Sequence, residues 1–139
     1  MSPSLRRARP DVFKQQADAT LSQASPSSGT KYTVLDTTKN VRIISMAAQC
    51  TWTVQPTPLE LHVTVDGQTC KFTKTDPATA TDYFAQFAAS FAADAQGLET
   101  TDYAQRRTFL FEGRSVKIEA EITGGTVSNL SARVKYAKK

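Results

Sequence analysis

One histidine, two cysteines and one tryptophan are all that this chain of 139 residues carries of the side chains most often used for chemistry. A hydrolase of the nucleophile–base–orienter type needs a base, and His62 is the only histidine available. It falls on the outward phase of a strand pattern, where a lone histidine is a surface residue. Two cysteines with one histidine cannot close a four-ligand zinc site without carboxylates, and neither a metal nor a cofactor is expected. Glycine is sparse, and neither GxGxxG nor GxxxxGK[ST] occurs, which removes the dinucleotide and P-loop fingerprints. No run approaches the ~20 apolar residues of a membrane-spanning helix. No apolar segment follows the basic start as it would in a secretory signal, so the sequence predicts folding in a reducing cytoplasm. There Cys50 and Cys70 are expected as buried thiols rather than a disulfide. Their flanks, "AQCTW" and "QTCKF", lack the cationic surroundings that activate a thiol.

Charge of one sign is not in large excess. The formal net charge is +4, which permits an anionic partner without requiring one. The basic residues concentrate at the ends, in "SLRRARPDVFK" and "RVKYAKK". Aromatics interleaved with basic residues on an exposed face, as single-stranded nucleic acid requires, are not evident. Nucleic acid is not expected as a partner.

What is present is a period of two. Residues 1–30 stand apart: three prolines, a Ser-rich piece and few apolar anchors. They read as an N-terminal arm, disordered alone or ordered on a partner, with a short helix over about 11–20 capped by Asp11. From Lys31 the pattern becomes strand-like. "KYTVLDT" is a strand. In "VRIISMAAQCTWTV" the even members Ile44, Met46, Ala48, Cys50, Trp52 and Val54 share the inward face. "QPTP" interrupts it, because proline cannot donate to a ladder. "LELHVTV" resumes with Leu59, Leu61, Val63 and Val65 inward and Glu60, His62 and Thr64 outward. Asp66-Gly67 is a tight hairpin signal, and "QTCKFT" returns with Cys70 and Phe72 inward, in a meander that sets the two cysteines one strand apart.

Residues 74–105 break the alternation. Ala80, Phe84, Phe87, Ala88, Phe91 and Ala95 recur at three and four, which predicts a helix over about 80–96 or a long excursion whose aromatics pack on the sheet edge. The period of two then returns in "RRTFLFEG", in "RSVKIEAEI" and in "VSNLSARVKYA". Val116, Ile118, Ala120, Ile122, Leu130, Ala132, Val134 and Tyr136 are inward there. Lys117, Glu119 and Glu121 form an outward row that reads as solvated ion pairs, not as an acid pair in a pocket. Seven or eight strands with short turns define an all-β antiparallel sandwich or jelly roll over 31–139.

Two blocks carry more than a period: "GTKYTVLDTTKNVRIISMAAQCTWTVQPTPLELHVTVDGQT" (29–69) and "FLFEGRSVKIEAEITGGTVSNLSARVKYAKK" (109–139). Over about 70 residues they resemble a group of small β-sandwich virion proteins of tailed bacteriophages and prophages. The resemblance implies a virion structural protein, either a capsid decoration or head-fibre module or a tail component, oligomeric and trimeric, with no catalytic residues. A carbohydrate- or receptor-binding sandwich is the alternative, though Trp52 sits on the inward phase. The arm residues Arg6, Arg7, Arg9, Val12 and Phe13 are then candidates for contacts with a capsid or other virion protein. Phe84, Phe87 and Phe91 are candidates for a homo-oligomer seam or for edge packing.

Overall fold

The computed structural model describes residues 13, 15–87, 93–96, 99–101 and 112–139. Eleven strands are described: β1 (Gln15–Ala24), β2 (Tyr32–Thr37), β3 (Val41–Val54), β4 (Leu59–Val65), β5 (Gln68–Lys74), β6 (Tyr83–Phe87), β7 (Ala93–Gln96), β8 (Glu99–Thr101), β9 (Glu112–Gly113), β10 (Val116–Ile122) and β11 (Thr126–Lys138). They form two antiparallel sheets packed face to face. One runs β1-β11-β3-β6-β7, with β9 also on β3, and the other runs β2-β10-β4-β5-β8. The protein is an all-β sandwich. Among the described residues, no helix is long and apolar enough to cross a membrane.

The core is the sum of the two inner faces. Leu59, Leu61, Val63, Phe72, Val116 and Ile118 come from the second sheet, and Val41, Ile43, Met46, Cys50 and Leu130 from the first. All are buried to 1% exposure or less. Alternation along β4 and β10 follows the expected phase at every residue, as a strand with one wet face requires. Asp66 and Gly67 both have positive φ, the geometry of the expected hairpin turn. Asp66 Oδ1 also accepts bonds from the Arg114 and Ser115 backbone amides, both 2.9 Å, fastening this turn to the start of β10.

Several expectations are corrected. The expected helix over 11–20 is strand β1. Its Ala17, Ala19 and Leu21 are half-buried, alternate with exposed neighbours, and pair with β11 from Gln15↔Lys138 to Ala24↔Asn129. Ala17, Ala19 and Leu21 fall at a period of two, and the edge of β11 offers ten residues of ladder pairing. Residues 15–24, assigned to the arm, are therefore part of the sandwich.

The helix expected over 80–96 is strand where that segment is described, at Tyr83–Phe87 and Ala93–Gln96. β6 pairs with β3 (Met46↔Ala85, Ala47↔Phe84) and β7 pairs with β6. Alanine and phenylalanine fit either period, and the ladder edge of β3 decides between them.

A third correction concerns β3. The register shift between Lys135 and Tyr136 leaves Ile44 as an extra residue between Ile43 and Ser45, a β-bulge that reverses the phase. Val41 and Ile43 are buried before it and Met46, Ala48 and Cys50 after it, while Ile44 is only half-buried. At the far end Trp52 is half-buried and Val54 is 56% exposed, not core. Tyr136, also expected inward, is half-buried against the core.

Finally, residues 55–58 do not turn a meander. They carry the chain from one sheet to the other, held by Thr57 N to Thr123 O at 2.7 Å and Thr123 N to Pro58 O at 3.1 Å. Cys50 and Cys70 thus lie in opposite sheets, both fully buried and not joined in a disulfide, rather than one strand apart.

Candidate functional site

The register Gln15↔Lys138 places the start of β1 beside the end of β11, and Lys138↔Val41 adds the start of β3. One end of the first sheet therefore brings together Gln15, Lys138 and Val41. Of the five arm candidates, Phe13 alone is described: its ring lies 4.6 Å from the guanidinium carbon of Arg42, a cation–π distance. Arg42 Nε also meets Glu112 Oε1 at 2.9 Å, so strand β9 and Phe13, two residues before β1, converge on one arginine. Arg6, Arg7, Arg9 and Val12 lie outside the described residues.

Of the three seam candidates, Phe84 is half-buried on the outer face of the first sheet. It sits opposite Ala47, which in turn faces Arg133. With Asp18, Ser45, Met46, Ala47, Arg133 and Lys135 it lines a shallow groove of about 270 Å³. Small residues at Ser45 and Ala47 make that groove. Arg133 of this lining is held by Asp82, Nη2 to Oδ2 at 3.4 Å, and Asp82 also takes Gln49 Nε2 at 2.9 Å. The side chain of Phe87 and the whole of Phe91 lie outside the described residues.

The outer face of the second sheet carries a charged row that the sequence reading gave only in part. Lys117 Nζ meets Glu119 Oε2 at 3.6 Å, as the row predicted. Glu121 instead meets His62: Nε2 to Oε1 is 2.8 Å. The same nitrogen is 3.4 Å from Glu60 Oε1, and Lys71 Nζ is 3.4 Å from the other Glu60 oxygen. His62 is therefore not a lone solvated histidine, and Glu121 is not a solvated acid; their side chains are 13% and 14% exposed. The strand order β10-β4-β5 unites them. The periodicity of each strand was legible, but which strand neighbours which was not.

No protein-family model matches the chain, and no curated protein matches it.

Proposed function

We propose that the chain is a structural assembly module of a bacteriophage virion, a rigid sandwich that oligomerises and is held to a capsid or other virion protein by its N-terminal arm. The observation that carries this reading is that the start of β1 lies beside the end of β11 at one end of the first sheet, through Gln15↔Lys138, with Phe13 against Arg42. A regular two-sheet core gives a stiff block. A basic segment leaving one end of it gains order and buried surface when it lies on an assembled acidic surface. The resemblance of residues 29–69 and 109–139 to virion sandwich proteins points the same way. The groove around Phe84 supplies a face for contact between copies.

The test combines mass and binding. Light scattering of the full chain should give three times its 15.2 kDa. Co-sedimentation with emptied phage heads should capture the full chain but not a variant lacking residues 1–12. A monomeric mass at every concentration, together with equal capture of both forms or capture of neither, overturns the reading.

A further inference from the structure

The geometry points to a binding site for a divalent transition-metal cation of the zinc type on the outer face of the second sheet, formed by His62, Glu60 and Glu121. Glu60 and His62 stand two apart on β4, so their side chains leave the same face. Glu121, on β10, is directly opposite Glu60 and diagonal to His62. The three donor atoms already lie within 4.8 Å of one another. An ion bound at about 2.0–2.2 Å needs its donors roughly 3–3.5 Å apart, a difference that small side-chain rotations close. The ladders of two neighbouring strands set the backbone of every donor.

The donor set also has a charge problem that a cation relieves. Glu60 and Glu121 are cross-strand partners of like charge, an unfavourable pairing. Glu119 adds a third carboxylate opposite His62. Lys117 is engaged by Glu119 and Lys71 by the outer oxygen of Glu60. Three carboxylates against two lysines leave one negative charge in the row when the imidazole is neutral. Nε2 of a neutral imidazole can donate one proton, and two carboxylate oxygens face it. A dication there meets both oxygens and the nitrogen at once. The Nε2 proton then moves to Nδ1, and the neutral ring becomes a ligand. Lys71 keeps the second oxygen of Glu60, orienting the liganding carboxylate from outside the coordination sphere.

One imidazole and two carboxylates suit zinc, cobalt or nickel. Calcium and magnesium favour all-oxygen sets. Three protein donors leave a tetrahedral ion one open position, for water or for a donor from a partner. This inference is independent of the assembly role.

The test is isothermal titration of zinc chloride into the chelator-stripped full chain. One ion per chain should bind, with saturation below roughly 100 µM free metal, and binding should raise the unfolding midpoint. His62→Ala and Glu121→Gln should each weaken binding by about tenfold or more, while Lys39→Gln, at an exposed turn, leaves it unchanged. Circular dichroism checks that each variant keeps its strands. Should a variant fail to fold, the cobalt(II) spectrum of the unaltered chain still decides: an N/O site shows no thiolate charge-transfer band. No saturable binding by the unaltered chain, unchanged binding in both folded variants, or a thiolate band assigning the ion to Cys50 or Cys70, would each overturn the site.

Discussion

Gly125 lies against the backbone of Val54 so closely that a methyl group on it would overlap the Val54 carbonyl oxygen and stand 2.6 Å from the Pro56 nitrogen. Its φ of +71° is also one that side chains disfavour. Gly124, with φ +73°, has nothing within 4 Å of such a methyl. Gly125→Ala should therefore lose about 3 kcal/mol or more, from strain plus overlap with backbone that cannot swing aside. Gly124→Ala should lose only about 1 kcal/mol. Thermal or urea unfolding of the two variants checks the difference, and equal losses would contradict the close approach.

Removing residues 1–12, whose sequence offers few apolar side chains, should leave the unfolding free energy within about 0.5 kcal/mol of the full chain. Removing residues 1–24 takes away β1 and the packing of Ala19 and Leu21 on the core. That should cost about 3 kcal/mol or more and leave β11 with an open edge prone to aggregation. Urea denaturation and scattering of the two truncations separate a dispensable arm from an integral strand.

The two cysteines should be silent in the folded protein. Cys50 is fully buried, and burial pushes its thiol up to about 11 from an ordinary 9.0. Neither Cys50 nor Cys70 should react with a disulfide reagent at pH 8, and both should react in denaturant. Because the folded value is the raised one, the Cys50 contribution to stability is complete below about pH 9 and is lost as pH climbs towards 11. It amounts to roughly 2–3 kcal/mol. A stability profile rising over that window would contradict the assignment.

Phe84→Ser should change the stability of the single chain by about 1 kcal/mol, since the ring is half-buried on an outer face. It should lower the mass seen by light scattering if the groove is the seam. Ala85→Asp is the contrast: Ala85 is fully buried, and a carboxylate there should abolish folding. An unchanged oligomer mass in Phe84→Ser would remove this face from the seam.

These expectations rest on features of unequal legibility. The phases of β4 and β10 were plain in the sequence because valine, leucine and isoleucine alternate there with polar and charged residues, and that of β5 because Cys70 and Phe72 stand between polar neighbours. The phase of β3 was legible only after Ile44, since a bulge has no signature in a string of apolar residues. The segments 15–24 and 80–96 were misread for a common reason: alanine, small polar residues and phenylalanine fit both periods, and the free edge of a neighbouring strand chooses. The convergence of His62, Glu60 and Glu121 depends on β10 lying beside β4, strands separated by some fifty residues of chain. Periodicity assigns faces, whereas neighbours come from topology.

The adjacency of Gln15 and Lys138 has a mechanical consequence. Tension applied between Gln15 and Lys138 loads the β1–β11 ladder at one end, so its bonds part in sequence from Gln15↔Lys138 towards Ala24↔Asn129, as a zip opens. Opening of that kind yields at low force because only the leading pair carries the load. Peeling the ten residues of β1 releases about 30 Å of chain before any strand on the core side of β11 is strained. A block tethered at this end thus carries its own slack, and could be tugged without having its core pulled apart.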